Sequence, residues 1–434
     1  IDGDVVRTFR VSEAVAAYAA THGLTGDIAA GILRGGKFDG DDLGGTHGRI
    51  VYQSTIDNSF DSPVKPGDPQ INHGDHLATS ATIQGTVLKA DNTNGDPVQD
   101  ETATDVEIAS GGLSLKIVGI NGAAGNGSGG ISPGNTVTYE LTYELGTGDF
   151  ENLRLDAFLP KPVFNVGDPD ADGTPSGWTY DGNNGTGTGM PAVGHWVLVN
   201  ELGNVITDSD GNPLTPSLTT IPGANGLSFD LGSREDSINA STRVVIRFTV
   251  EVNDDPFADG LYLTAQAQAS EHNTPGVPTT HQDIIQIQLN EPQLEIRHGV
   301  VSHIDTEGDN TLTGTTGTWA DPGTTGAPFT GTITDISGID GNITGIDAGD
   351  RVRFGVGIIN TGGYGAYDIS TSAITAPPGF DFTDAAGNAV TDVADANLQV
   401  WLGNGTPLVA GTDYTVTGGV ITLINVAGNP ALAA

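Results

Sequence analysis

Cysteine is absent from all 434 residues of the chain, so neither a disulfide framework nor a thiolate metal site can form. Basic residues are scarce as well, with 16 lysines and arginines against 54 aspartates and glutamates and a formal net charge of -38. Nucleic acid is therefore excluded as a partner, because a phosphate-binding surface needs clustered lysine and arginine. Such an excess of carboxylates repels itself unless cations bind, and divalent cations are the natural candidates.

Long hydrophobic runs are also missing: no stretch of eighteen apolar residues occurs, so we expect no transmembrane segment within this sequence. The chain opens on Ile1 without a signal peptide, and we expect the export signal and anchor to lie elsewhere in a longer or processed polypeptide. Hydrophobic residues make up 36% of the chain, which is lean but sufficient for folded domains. The length favours two to four modules.

Alternating apolar and polar residues recur at strand length along most of the chain, for example over 137–143, 243–250 and 285–289. This period of two, bounded by glycine, asparagine, aspartate and proline, is typical of antiparallel strands with one buried face. The fold class is therefore predicted to be all-β.

One segment near the start has a different pattern. Residues 12–20 predict a helix with Ser12 as its N-cap and Gly23 as its stop, and a second short helical turn is expected around 27–33. We interpret the two together as a small helical insertion rather than a separate domain.

An internal repeat is the most informative feature of the sequence. Two segments rich in turn and strand residues match each other, namely 132–139 and 347–354. The match continues downstream in three pairs: Leu153 with Ile369, Pro162 with Pro378, and Phe164 with Phe380. The pattern is a turn, a long strand, a loop, a second strand and an exit at proline, used twice.

Two further matches concern the other end of the repeated unit, 74–81 with 259–266 and 113–117 with 294–298. They place module starts near residues 113 and 292. We therefore predict three units: the closing part of a β-sandwich with the helical insertion (1–112), a complete β-sandwich (113–291), and the opening part or a variant of a third (292–434).

The segments 290–296, 348–354, 359–362 and 366–369 resemble a tandem repeat family of uncharacterised domains found in large bacterial surface proteins of adhesin, surface-layer and fimbrial type. The resemblance implies immunoglobulin-like sandwiches that space or assemble surface proteins. Some relatives carry a Lys–Asn isopeptide crosslink. Lys116 can fill the lysine position, but Gln266 closes the matching late strand, which contains no asparagine, and Arg297 replaces the lysine in the third unit. We therefore expect no crosslink.

Asp168, Asp170 and Asp172 stand at alternate positions before Gly173, as in calcium loops whose oxygens converge on one hard cation. The bidentate glutamate of such loops is missing, since Thr179 occupies its place. The alternative is a polar loop whose side chains cap their own turns. Similar clusters supply further candidate metal ligands and lie around Asp91 and Asp96, around Asp208 and Asp210, and over 305–310. Calcium is the expected cofactor.

Other motifs point away from catalysis. The glycine-rich run 125–130 satisfies a dinucleotide pattern only formally, and a hairpin loop is favoured because no helix follows. A transition-metal site formed by His73, Asp75 and His76 is conceivable, but a turn with exposed imidazoles is favoured. The tryptophans Trp178, Trp196 and Trp401 are expected to anchor cores rather than to line a sugar-binding face.

These observations favour a secreted or cell-surface protein that is structural and not an enzyme, forming part of a surface layer, fibre or adhesin stalk stabilised by calcium. The alternative is a module that binds carbohydrate or another surface, and a secreted hydrolase is a distant third. We expect self-association, or contact between modules, through the end strands at 1–10 and 420–426.

Overall fold

The computed structural model of the chain describes most of the residues between Thr8 and Ile424. The described ranges are 8–33, 37–38, 41–42, 49–57, 59–60, 70–91, 93–109, 111–145, 150–170, 172, 177–182, 190–207, 211, 213–214, 216–234, 243–315, 317–324, 329–330, 336–366 and 369–424.

The N-terminal region contains the helix of the chain. Helix α1 spans Val11–Thr21, and Gly23 follows it with a φ of 66°, so the predicted stop is confirmed. The predicted N-cap was wrong. The helix begins one residue before Ser12, with Arg10 at the cap position, where its guanidinium donates to Glu13 Oε1 at 2.7 Å instead of a hydroxyl capping the first turn. Residues 27–31 form consecutive hydrogen-bonded turns, in agreement with the short helical turn expected there.

Four strands follow in this region: β1 (Lys37–Phe38), β2 (Asp41–Asp42), β3 (His76–Leu88) and β4 (Asn94–Glu107). Strands β3 and β4 pair antiparallel over almost their whole length to form what we call the N-terminal hairpin. Among the described residues no third strand pairs with it, and nearly every residue of both strands is exposed.

Residues 112–288 form two packed sheets, which we call the central sandwich. Its strands are β5 (Gly112–Ile120), β6 (Ala123–Ala124), β7 (Thr136–Glu144), β8 (Phe150–Phe158), β9 (Thr179–Tyr180), β10 (His195–Val199), β11 (Ser217–Ile221), β12 (Gly226–Arg234), β13 (Arg243–Glu251), β14 (Tyr262–His272) and β15 (Pro278–Gln288). A 3-10 turn, Pro222–Ala224, joins β11 to β12. The strand orders are β6-β5-β7-β13-β10-β9 and β11-β12-β8-β14-β15. Mostly antiparallel pairing in these sheets agrees with the predicted all-β class.

The core of the central sandwich lies between its two sheets. Alternate residues of β7 and β13 point inward, including Tyr139 and Phe248, whose rings stack 5.4 Å apart. The facing sheet contributes Leu155 from β8 and Phe229 from β12, and all four side chains are buried to within 1% of complete. Burial of large aromatic and aliphatic side chains at this spacing is the main source of stability in a two-sheet fold.

The C-terminal region is built from short two-stranded pairs. Its strands are β16 (Leu294–Ile304), β17 (Thr311–Thr313), β18 (Thr318–Trp319), β19 (Phe329–Thr330), β20 (Asn342–Thr344), β21 (Arg351–Asn360), β22 (Phe382–Thr383), β23 (Ala389–Val390), β24 (Tyr414–Thr417) and β25 (Val420–Leu423), with a 3-10 turn at Val393–Asp395. The longest pair joins β16 to β21 antiparallel.

The segments that match in sequence share some local geometry. Strand β21 corresponds to β7, and Phe354 packs edge-on against Phe380 at 6.1 Å as Tyr139 packs against Phe164 at 5.9 Å. The β5–β7 and β16–β21 pairs each contain one bulge, after Ile117 and after Val300. Each bulge directly follows the residue that pairs with the matched aromatic, Tyr139 or Phe354, so Ile117 corresponds to Val300. The sequence alignment of 113–117 with 294–298 was therefore two residues out of register.

The N-terminal hairpin corresponds to the β14–β15 hairpin of the central sandwich. At the base of one hairpin Gly74 N donates to Ile108 O at 3.0 Å, and at the base of the other Gly260 N donates to Leu289 O at 2.9 Å. These bonds align Leu77 with Leu263. The sequence match of 74–81 with 259–266 was one residue out of register, which in a strand would exchange the two faces.

The two predicted end strands have different outcomes. Residues 8–10 lead into α1, and 1–7 and 425–426 lie outside the described residues. Strand β25 is paired on both sides: with β24 along its length, and with the segment 369–371, where Thr371 N donates to Ile421 O at 2.9 Å. Both edges of the described part of β25 are therefore occupied within the chain, and self-association or contact between modules through the end strands stays a prediction. The module boundaries and an immunoglobulin-like tandem arrangement stay predictions.

Candidate functional site

The acidic loop after Asn165 brings three predicted ligands together. Carboxylate oxygens of Asp168, Asp170 and Asp172 lie within 4.8 Å of one another. Pro169 between them is buried, and its carbonyl accepts a hydrogen bond from Glu251 N at 2.8 Å, which fixes the loop against the end of β13. The loop is therefore held by the central sandwich rather than by flanking helices.

Glu251 is a fourth carboxylate at this loop, and it was missed in the sequence. Burial raises the pKa of Glu251, and the negative charges of Asp170, Asp254 and Asp172 raise it further. One carboxyl oxygen of Asp170 is buried and accepts no hydrogen bond from the described residues. Three clustered carboxylates with an unused oxygen form an arrangement suited to a hard divalent cation. Glu251 adds a fourth negative charge beside them.

A second acidic group has a different local chemistry. Asp305, Glu307 and Asp350 also place oxygens within 4.8 Å of one another. However, Asp350 accepts from the backbone nitrogen of Asp347 at 2.9 Å, from Asn310 Nδ2 at 3.0 Å and from the backbone nitrogen of Thr306 at 3.1 Å, and these bonds hold its pKa at about 2. Its oxygens therefore already serve as caps for the two turns that meet here.

The remaining predicted ligands do not join such a group in the described structure. Asp91 Oδ1 accepts from the backbone nitrogen of Thr93 at 3.0 Å and so caps its own turn. Asp96 lies on β4 with its side chain exposed. Asp208 and Asp210 lie outside the described residues. Among the described residues, the loop at 168–172 is the better candidate calcium site.

A buried polar cluster joins the N-terminal region to the central sandwich. His73, Tyr143 and Glu271 are each at most 1% exposed. Tyr143 Oη donates to Glu271 Oε1 at 2.5 Å, and His73 Nδ1 lies 3.2 Å from Glu271 Oε2. Burial alone raises the pKa of Glu271, but these hydrogen bonds outweigh it and lower the pKa below its ordinary value. The carboxylate is therefore paired on both oxygens.

Asp75 makes a second set of contacts at the same junction. Its carboxylate accepts from Thr274 N at 3.0 Å, Thr274 Oγ1 at 2.8 Å and Asn72 N at 2.8 Å. The predicted turn with exposed imidazoles was half right: His73 is buried, while His76 is exposed and pairs with Asp105 at 2.6 Å. Because each polar group here has a partner, the cluster fastens two parts of the chain to each other.

The tryptophans pack mainly with the core. Trp196 is 2% exposed and lies 5.1 Å from the ring of Phe229, while Trp178 donates to Val166 O at 2.8 Å and packs edge-on against Phe248. Trp401 is half-buried in the C-terminal region. The expected role of Trp196 as a core anchor is confirmed. The glycine-rich run 125–130 connects β6 to β7 as a loop.

Comparisons with known proteins add a distant likeness. No protein-family model matches the sequence, and no curated protein matches it. The chain is similar to the major pilin subunit BcpA of Bacillus cereus at 9% identity, covering 81% of this chain and 96% of that one, with a TM-score of 0.30.

Two streptococcal proteins give similar values. The T6 backbone pilin of Streptococcus pyogenes matches at 10% identity over 74% of this chain and 64% of that one, with a TM-score of 0.28. The C-terminal domain of the S. pyogenes antigen I/II-family protein AspA matches at 10% identity over 45% of this chain, with a TM-score of 0.26, and the match spans half of that domain's length. In the described residues no helix is long and apolar enough to cross a membrane.

Proposed function

We propose that the chain is a structural segment of an extracellular bacterial surface assembly, part of a surface layer, fibre or adhesin stalk. The observation that supports this proposal is local likeness between regions. The N-terminal region shares its hairpin base with the central sandwich, and the C-terminal region shares an aromatic pair with it. Its buried polar groups join the N-terminal region to the central sandwich. Such arrays of similar units are used as spacers and scaffolds.

Calcium is proposed as the stabilising ion of this segment. A cation bound by Asp168, Asp170, Asp172 and Glu251 offsets their mutual repulsion and ties the loop to β13. Because the pKa of Glu251 is raised, its ionised form costs stability without the ion, and this cost grows as the pH rises through the range where Glu251 ionises. The stabilisation by calcium is therefore expected to be larger at pH 7 than at pH 4.5.

Thermal melting in about 1 mM calcium, compared with melting in excess chelator, tests the site. Free calcium at about 100 times its Kd adds about 2.7 kcal/mol to the free energy of unfolding. The variant Asp170→Asn should lose most of the calcium-dependent shift in Tm, whereas the matched variant Asp350→Asn in the second acidic group should retain it. Equal melting curves with and without calcium would refute the calcium site.

A separate experiment tests the structural role against the adhesive alternative. We expect a glycan array and a panel of polysaccharide substrates to give neither binding nor turnover. Micromolar binding that Trp401→Ala abolishes would favour a carbohydrate-binding module, and turnover of any polysaccharide would favour a hydrolase. Trp196→Ala is unsuitable as a probe because Trp196 is part of the core.

A further inference from the structure

The joint between the central sandwich and the C-terminal region contains a buried acid. Glu291 lies in the linker between β15 and β16 and is only 3% exposed. Its carboxyl oxygen Oε1 is buried and has no hydrogen-bond partner among the described residues. A buried carboxylate without a partner is costly, because it loses its hydration and gains no bond in exchange. Such an oxygen indicates a missing ligand, which is either a proton or a cation.

A second carboxylate lies at the same joint. Asp259, in the loop between β13 and β14, accepts through Oδ1 from Glu291 N at 2.8 Å and from Gly363 N at 3.0 Å. These bonds lower the pKa of Asp259, so its side chain is ionised at neutral pH. Burial raises the pKa of Glu291, and the negative charge of Asp259 raises it further. Among the described residues no lysine or arginine counters this charge.

A third side-chain oxygen comes from the linker itself. Asn290 donates through Nδ2 to Gly129 O at 2.9 Å, and this bond orients its amide group. A methyl group built on the Cα of Gly363 would lie 3.2 Å from both Asn290 Oδ1 and Asp259 Oδ1. The two oxygens therefore line one small space, which is open because residue 363 has no side chain. Carboxylate and amide oxygens are the ligands that calcium prefers in proteins.

The backbone around these oxygens is held by hydrogen bonds to both regions. Asn290 N donates to Ile131 O at 2.7 Å in the central sandwich. Just after β21, Thr361 N donates to Gln293 O at 2.8 Å. The oxygens are therefore presented by an ordered backbone, and a cation can bind here without the cost of first ordering a loop.

We propose that Asp259, Glu291 and Asn290 bind a divalent cation, calcium outside the cell, at the joint between the central sandwich and the C-terminal region. The cation neutralises the two carboxylates and contacts the oxygen of Glu291 that has no other partner. It joins the β13–β14 loop to the linker and, through Asp259, to the turn after β21, so it stiffens the joint. The inference rests on the proposed structural function, in which calcium stabilises the segment, and adds a site between two of its regions.

Hydrogen exchange of the full chain, measured in millimolar calcium and in excess chelator, tests the site. The amides of Glu291 and Gly363 both donate to Asp259 Oδ1 and report on it directly. With calcium at about ten times its Kd, their exchange through local opening should slow about tenfold. Glu291→Gln should abolish this effect. In chelator the same variant should exchange no faster than the unaltered chain, because glutamine removes the uncompensated buried charge and nearly preserves the shape.

Two matched variants separate this site from other acidic groups. Glu295→Gln makes the same change at an exposed position of β16 and should retain the calcium effect at both amides. Asp170→Asn should retain it as well, while its own loss of the calcium-dependent shift in Tm reports separately on the loop at 168–172. Exchange that calcium leaves unchanged at Glu291 and Gly363 would overturn the proposal and would mean that a proton satisfies Glu291. A calcium effect that survives Glu291→Gln, or that Glu295→Gln removes equally, would also overturn it.

Discussion

The central sandwich and the C-terminal region place equivalent residues in different surroundings. Tyr139 and Phe354 occupy the same position on equivalent strands and contact equivalent phenylalanines at nearly the same distance. Yet Tyr139 is fully buried and Phe354 is 40% exposed. The difference arises because a second sheet covers one strand and leaves the other open. A strand's sequence sets its inward face, and the presence of the opposing sheet decides whether that face is buried.

The largest expected difference between the two regions comes from these equivalent aromatics. Tyr139→Ala should lower the free energy of unfolding by about 3–5 kcal/mol, since it opens a cavity among Phe164, Phe229 and Phe248. Phe354→Ala should cost about 1 kcal/mol or less in the isolated chain, because much of its ring already contacts water. Urea unfolding followed by tryptophan fluorescence measures both changes. Equal losses in the free energy of unfolding would mean that the core around Phe354 is packed as tightly as the core around Tyr139.

The junction of the N-terminal region with the central sandwich should be nearly as sensitive. Glu271→Ala leaves Tyr143 Oη and His73 buried without the carboxylate, and we expect a loss of about 3 kcal/mol. Hydrogen exchange should then rise selectively at 72–75 and 271–274. Glu271→Gln, which preserves the shape, should cost less, and a larger cost than that of alanine would contradict this account.

The same carboxylate predicts a pH dependence. Because the pKa of Glu271 is lowered in the folded chain, its contribution to stability is present above the ordinary glutamate value of 4.5 and is lost as the pH falls through the lower folded value. Chemical unfolding at pH 7, 5 and 3 should therefore show a decline on acidification that is shallower in Glu271→Gln. Parallel curves for the two proteins would show that the acid sensitivity arises elsewhere.

Two asparagines with left-handed backbones allow a smaller comparison. Asn225 has a φ of 50°, and its buried amide donates to Leu159 O and Phe164 O, both at 2.9 Å. Asn397 has a φ of 46° and one long exposed contact, to Thr324 O at 3.4 Å. Glycine tolerates both backbones. Asn225→Gly should therefore cost about 2 kcal/mol through lost hydrogen bonds, and Asn397→Gly less than about 0.5 kcal/mol. Thermal melting distinguishes the two.

Ion pairs on β13 give the smallest expected effect. Arg247 and Glu140 are 19% and 15% exposed and bond at 2.8 Å, so Arg247→Met should cost about 1 kcal/mol. Arg243 and Glu144 make a pair of the same length that is about half exposed. Arg243→Met should leave Tm unchanged within error at physiological salt. A larger loss of stability for Arg243→Met than for Arg247→Met would contradict the expectation that the more buried ion pair contributes more.

Several local features were predictable because they depend on near neighbours in the chain. Gly23 ends α1 since glycine adopts the positive φ required there, and the alternation in β7 and β13 gave their inward faces. The match of Phe164 with Phe380 also holds in space. The sequence alignments were wrong by one and two residues where a bulge or a hairpin register decides the alignment. A short strand sequence does not specify which residues of a neighbouring strand it pairs with.

The candidate site was predictable only in part. The spacing of Asp168, Asp170 and Asp172 is a local property and was readable. Glu251 is distant in sequence, and its charge lies near theirs because its backbone nitrogen bonds to Pro169 O. The buried cluster around Glu271 had no sequence signal, since His73 and Glu271 are 198 residues apart.

The sequence alone determined the all-β class, the acidic character and the inward faces of the strands, since each depends on composition or on the period of side chains along one strand. Only the tertiary structure decided which of those faces are covered. Alternate residues are buried in β14 and exposed in β3, because burial depends on whether a second sheet is present to exclude water.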